Sequence, residues 1–162
     1  MTFHKLLIAN RGEIACRVIK TAHEMGIACV AVYTEADSNA PFVKMADQAV
    51  KLSDTYLNGK EIIAAAERTG AQAIHPGYGF LSENAKFSRD VLKAGLIWVG
   101  PSSKVITSMG DKLKAKDIAE KAGVPTLPMT TDPKKANTIG YPILIKAAAG
   151  GGGKGMRIVE SK

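Results

Sequence analysis

Four times along this chain a helical pattern stops at glycine and passes straight into a short apolar segment: Met25-Gly26-Ile27, Thr69-Gly70-Ala71, Ala94-Gly95-Leu96 and, more loosely, Ala122-Gly123-Val124. Glycine ends a helix at its C′ position because it enters the left-handed region without a Cβ penalty. The strands read as apolar on both faces, as in Lys5-Leu6-Leu7-Ile8-Ala9, residues 27–32, Ala73-Ile74-His75 and Leu96-Ile97-Trp98-Val99. A strand with no polar face must be covered on both sides, and helices that connect parallel strands do this. The first ~105 residues therefore predict an α/β fold: an open, Rossmann-like parallel sheet with helices on both faces.

Helices are expected over residues 12–25, with Ile14, Val18, Ile19 and Ala22 on the packed face, and over 59–68, with Ile62, Ile63 and Ala66. A third spans 83–93, with Phe87, Val91 and Leu92 inward. Asn58-Gly59-Lys60-Glu61 reads as a capping box. Pro101 opens a short helix through Met109, and a lysine-rich helix follows over 111–121. The reading is one domain over 1–109 and the beginning of a second, truncated one over 110–162, in which a turn of helix (132–137) precedes strands at 143–147 and 156–160.

Charge is placed unevenly. Residues 1–100 carry 11 basic and 10 acidic side chains, whereas residues 101–162 carry 11 and 5. Nearly all of the formal +7 thus lies in the last third, which suits phosphate groups. Tyr141 is the one aromatic residue there and arginines do not cluster, so a nucleic-acid partner is not expected. The apolar runs fall short of the ~20 residues of a spanning helix, and Met1-Thr2-Phe3-His4-Lys5 lacks a signal-peptide layout. The expectation is a cytoplasmic chain with no membrane partner. Cys16 and Cys29 sit in apolar periodic segments without a Cys-x-x-Cys or Cys/His spacing, and they read as small core residues rather than metal ligands or a disulfide.

In open α/β sheets ligands gather at the carboxyl ends of the strands, which directs attention to Asn10-Arg11-Gly12-Glu13, Thr34-Glu35-Ala36-Asp37, His75-Pro76-Gly77-Tyr78-Gly79 and Gly100-Pro101-Ser102. The first is not Gly-x-Gly-x-x-Gly, so dinucleotide binding is not expected. It reads either as a well-capped turn or as part of an interface or cleft edge, where Arg11 projects toward the place that sheet ligands gather. His75 reads as a packed strand-end residue. Gly150-Gly151-Gly152-Gly153-Lys154-Gly155, entered from Tyr141-Pro142-Ile143-Leu144-Ile145-Lys146, reads as a phosphate clamp, because bare backbone N–H groups can approach an anion closely and lysines add charge. Lys146 ends an apolar strand and is read as facing that anion. Lys112 stands near a helix start, where an ammonium is unfavourable unless an anion is present; its other reading is a surface lysine beside Lys114, Lys116 and Lys121.

Taken together, residues 8–15, the string His75-Pro76-Gly77-Tyr78-Gly79-Phe80-Leu81-Ser82-Glu83-Asn84, Met109-Gly110-Asp111-Lys112 and residues 146–157 resemble the amino-terminal third of a biotin carboxylase of the ATP-grasp group. The resemblance covers essentially all 162 residues. It implies an ATP-dependent ligase that activates bicarbonate as carboxyphosphate and carboxylates biotin on a carrier protein or domain, with Mg²⁺ or Mn²⁺. A carboxyltransferase component then passes the carboxyl group to acetyl-CoA, propionyl-CoA, pyruvate or another acceptor. It further implies that Lys112 and Lys146 contact the nucleotide, and that Gly150, Gly151, Gly152 and Gly153 lie over its phosphates. Tyr78 and Glu83 would face biotin and bicarbonate, and Arg17, Lys20 and Glu24 would lie on a helix used in a homodimer. Catalytic and metal-binding residues of such enzymes are expected beyond residue 162, so the 162-residue piece alone is expected to be inactive. The other readings are a different ATP-grasp carbon–nitrogen ligase, or a non-catalytic interaction or nucleic-acid-binding module.

Overall fold

The computed structural model describes residues 3–146 and 155–162, which fall into two compact units, Met1–Gly110 and Asp111–Lys162. The first unit runs β1 (Lys5–Ile8), α1 (Gly12–Glu24), β2 (Ala28–Tyr33), α2 (Pro41–Met45), β3 (Gln48–Lys51), α3 (Gly59–Thr69), β4 (Ala73–His75), α4 (Ala85–Lys93), β5 (Ile97–Trp98) and α5 (Ser103–Gly110). Its five strands are all parallel, in the order β3-β2-β1-β4-β5. The expected α/β sheet is therefore present.

Period-two alternation assigns the strand side chains to opposite faces. Leu7, Val30, Val32 and Ile74 pack with Ile62, Ala66, Phe87 and Val91 of α3 and α4, and the Phe87 and Trp98 rings meet edge-on at 5.6 Å. On the other face Leu6, Ile8, Cys29 and Ala31 pack with Ile19 and Ala22 of α1 and Phe42 of α2. Each helix that was read as ending in Gly26, Gly70, Gly95 or Gly123 does so with that glycine at φ between +68° and +77°.

Three details differ from the sequence reading. Leu92 points outward at 54% exposure, and Ser88 occupies the buried face of α4 instead, because the Phe87–Val91 stripe turns the helix that way. Cys29 is buried as expected, but Cys16 is only partly so. Half of the expected capping box forms: Asn58 accepts the Glu61 N–H, while the Glu61 carboxylate accepts from the N–H and hydroxyl of Ser53 and from Asn58 Nδ2 at 3.4 Å, and the Asn58 backbone N–H donates to the Thr55 carbonyl instead. In addition, β3 and α2 were not anticipated.

In the second unit, α6 (Lys112–Lys121) is capped by Asp111, whose carboxylate accepts the N–H groups of Leu113 and Lys114 at 3.0 and 3.1 Å. A short 3₁₀ turn, Pro133–Thr138, precedes β6 (Ile143–Lys146), which pairs antiparallel with β7 (Met156–Val159) in the register Ile143↔Val159 through Lys146↔Met156. Gly150, Gly151, Gly152, Gly153 and Lys154 lie outside the described residues.

Candidate functional site

The strand order places β1 between β2 and β4, so the chain direction across the sheet reverses between β1 and β4. The loops leaving their carboxyl ends diverge there and leave a crevice. The loops in question are Asn10-Arg11-Gly12-Glu13 and Pro76-Gly77-Tyr78-Gly79-Phe80. They line a cavity of about 370 Å³ with Asn10, Arg11, Glu13, Tyr78 and Phe80 on its walls.

Asn10 ties the two loops together. Buried to 2% exposure, it donates from Nδ2 to the carbonyls of Pro76 at 2.7 Å and Tyr78 at 2.8 Å, and its Oδ1 accepts the Arg11 N–H at 2.9 Å. Gly77 must be glycine for two reasons. Its φ is +65°, and a Cβ there would stand 2.6 Å from Asn10 Nδ2. His75 Nδ1 accepts the Gly77 N–H at 3.0 Å, while burial, and secondarily the nearby Arg17 charge, hold its pKa below the ordinary histidine value. His75 is thus a neutral acceptor that shapes the turn.

Arg11 does not reach freely into the cavity. Its guanidinium makes a two-pronged bond to buried Asp37, Nε to Oδ2 at 2.6 Å and Nη2 to Oδ1 at 2.5 Å, and the Tyr56 hydroxyl donates to Asp37 Oδ2 at 2.6 Å. The Arg11 bond, with help from Tyr56, holds the Asp37 carboxyl below the usual carboxylate range although burial works the other way. Burial, then the Asp37 bond, raises the Tyr56 phenol. The Tyr56 ring lies 5.4 Å from that of Phe80, which sits at φ +44°. Opposite, the Tyr78 hydroxyl donates to Glu13 Oε1, and that bond raises the tyrosine pKa. The Tyr78 ring remains 59% exposed. The described residues of the cavity walls therefore offer an open aromatic face, a carboxylate and backbone polar groups, with no serine or cysteine nucleophile among them. Such a surface binds and orients a ligand.

Of the residues singled out from sequence, Tyr78 lines this cavity, and Glu83 is exposed on the loop leading to α4. Lys112 is the first residue of α6 and Lys146 the last of β6, both exposed in the second unit. Arg17, Lys20 and Glu24 are exposed along α1. Sequence reasoning assigned no role to Tyr56, and it gave Asn10, Glu13 and Asp37 none beyond membership of the strand-end segments. The polar strand-end position was the only signal for the latter three.

Residues 2–106 match the family model described as biotin carboxylase, N-terminal domain, and residues 111–162 match that of the carbamoyl-phosphate synthase L chain, ATP binding domain. The propionyl-CoA carboxylase alpha chain of Ruegeria pomeroyi is 53% identical over 96% of this chain, and the alignment covers 25% of that protein. The 2-oxoglutarate carboxylase small subunit of Hydrogenobacter thermophilus is 49% identical over 99% of the chain and 36% of its own length. Among solved structures, the Campylobacter jejuni biotin carboxylase in complex with β-γ-ATP superposes with a TM-score of 0.91 at 45% identity, covering 99% of this chain and 39% of the other. The Hydrogenobacter thermophilus biotin carboxylase domain dimer, solved with MgADP, ADP and bicarbonate, gives 0.89 at 49% identity, covering 99% and 38%. The chain thus spans between a quarter and two fifths of the length of these proteins.

Proposed function

The chain belongs to the biotin carboxylase N-terminal domain family, and on that premise we propose that it supplies the biotin-facing wall and the opening part of the nucleotide site of an ATP-dependent biotin carboxylase. In that reaction a bicarbonate oxygen attacks the γ-phosphorus of ATP, the bond to the ADP oxygen breaks, and carboxyphosphate forms. Its breakdown delivers carbon dioxide to a biotin ring nitrogen, which gives up its proton. Phosphoryl transfer asks little covalent chemistry of the protein, so fixed cations and N–H donors contribute most. Lys112 and Lys146 are the cations of this chain assigned to the nucleotide, and the backbone of Gly150, Gly151, Gly152 and Gly153 is assigned to its phosphates.

The observation that carries the reading is the pair of loops at the sheet's reversal point, tied by Asn10, with the exposed Tyr78 ring beside the Glu13 carboxylate. A planar ureido ring fits an aromatic face next to hydrogen-bonding groups. Mg²⁺ or Mn²⁺ enters with the nucleotide's phosphates. Among the described residues, the one group of three or more His, Cys, Asp or Glu donors is His23 with Cys29 and Asp47, whose nitrogen and sulfur donors do not suit so hard a cation. The partners of this reading are a biotin carrier, a carboxyltransferase component and a second copy of the chain, since the Hydrogenobacter relative is a dimer. The final acceptor is an acyl-CoA or a 2-oxo acid, the two classes that the relatives' names contain; the sequence alone leaves acetyl-CoA, propionyl-CoA and pyruvate open.

The test is nucleotide affinity in the polypeptide that carries this chain. Lys146→Ala is expected to weaken ATP binding at least ~10-fold, about one lost charge-assisted contact. Affinity equal to the parent's overturns the nucleotide assignment. The 162 residues alone are expected to release no ADP in response to bicarbonate.

A further inference from the structure

At the opposite, amino-terminal edge of the sheet, three side chains that are far apart in sequence converge. His23 lies in the last turn of α1, Cys29 near the start of β2, and Asp47 immediately before β3. We propose that His23, Cys29 and Asp47 form a binding site for a thiophilic divalent cation of the Zn²⁺ type, which pins the edge strand β3 and the end of α1 to β2. The site is independent of the cleft and of the nucleotide metal.

The geometry is compact. One ligand atom from each residue, an imidazole nitrogen, the Cys29 sulfur and a carboxylate oxygen, lies within 4.8 Å of both others. His23 Nε2 and Asp47 Oδ2 are 2.8 Å apart, and Oδ2 also accepts the Cys29 N–H at 2.7 Å, which fixes the carboxylate over the thiol-bearing residue. Zinc bonds of about 2.0–2.3 Å at tetrahedral angles set ligand atoms roughly 3.3–3.7 Å apart, so small side-chain rotations complete the site. The His23 and Asp47 side chains are 40% and 50% exposed, which gives a cation a way in and leaves its fourth position to water. One sulfur, one nitrogen and one carboxylate donor are the mixture that zinc accepts and magnesium does not. The carbonyl end of α1 adds favourable potential for positive charge.

On binding, the S–H bond of Cys29 breaks, its proton passes to solvent, and a sulfur–metal bond forms. The proton that Nε2 directs at Asp47 Oδ2 in the free protein leaves that nitrogen, and His23 ligates through Nε2 as the imidazole that carries its proton on Nδ1. Thiolate and carboxylate together neutralise the dication. The sequence spacing of 23, 29 and 47 hides the set, because β2 and α2 lie between His23 and Asp47 along the chain.

The experiment is titration of the 162-residue protein with Zn²⁺, against a chromophoric chelator, and with Co²⁺, whose thiolate charge-transfer absorption reports a sulfur ligand. The expected result is one saturable ion per chain, a thiolate band, and a higher melting temperature with Zn²⁺. Cys29→Ser and His23→Ala should each weaken binding more than the ~10–100-fold typical of losing an outer-sphere partner, and Cys16→Ser should leave it intact. His23 is exposed, so His23→Ala keeps the test open even if Cys29→Ser folds poorly. No saturable binding below millimolar Zn²⁺, binding without a thiolate band, a band that survives in Cys29→Ser, or an affinity unchanged in His23→Ala overturns the site.

Discussion

Replacing Asn10 and Gly77, singly and together, probes how the two loops of the cleft are held. Asn10→Ala removes two donations, to the Pro76 and Tyr78 carbonyls, and one acceptance, from the Arg11 N–H. At about 1 kcal/mol per bond, more where a carbonyl is left buried and unpaired, the loss comes to ~3 kcal/mol. Gly77→Ala adds a Cβ at φ +65°, costing roughly 1–2 kcal/mol, and puts that atom 2.6 Å from Asn10 Nδ2. Because Asn10 is held by buried bonds, it cannot swing aside without losing them, so this single variant costs ~4–5 kcal/mol. With Asn10 already truncated the collision is gone and only the backbone strain remains. The double variant should therefore cost ~4–5 kcal/mol instead of the ~7–8 kcal/mol of simple addition. Urea unfolding, with the slope checked for constancy, measures each corner of the cycle. Additivity to within ~0.5 kcal/mol refutes the claim that Asn10 and Gly77 are mutually locked.

Other outcomes follow from the same geometry. Asp37 has a depressed carboxyl pKa in the folded state, so its contribution is present above the unfolded value of ~3.9 and is lost as pH falls through the folded one; Asp37→Asn should flatten that acid limb in pH-dependent unfolding. His75 also has a lowered folded pKa, so stability should decline as pH drops below ~6.5, and His75→Gln should remove that decline. Ultraviolet titration should find Tyr78 ionising above the ordinary tyrosine range, and Glu13→Gln should bring it back down; no change in that variant would count against the Tyr78–Glu13 bond. Gly59→Ala should destabilise by about 1–3 kcal/mol despite better helix propensity, since its Cβ would lie 2.7 Å from the Phe87 ring, and a thermal melt equal to the parent's would contradict the packing described for that corner.

The strands β1, β2, β4 and β5 were legible because parallel strands buried on both faces leave unbroken apolar runs, and the helix ends were legible because glycine at positive φ is nearly a requirement there. β3 was not legible. Gln48-Ala49-Val50-Lys51 lies at the sheet edge, only Val50 is even partly buried, and its identity as a strand comes from pairing with β2. α2 is too short to show a period, and its one buried anchor, Phe42, carries no pattern. The same limit applies to the site. Its two loops were visible as polar turns after strands, whereas the link from Arg11 through Asp37 to Tyr56 joins residues 26 and 19 positions apart and exists only after the sheet has assembled.

Transfer of radiolabel tests most directly the proposal that this chain serves biotin carboxylation. The polypeptide that carries the chain is incubated with ATP, free biotin and labelled bicarbonate. ATP-dependent appearance of label in carboxybiotin, reduced by Lys146→Ala and by Tyr78→Ala, is the predicted result. ATP consumed with the label recovered in a carbamoyl or amide product, and none in biotin, would contradict it.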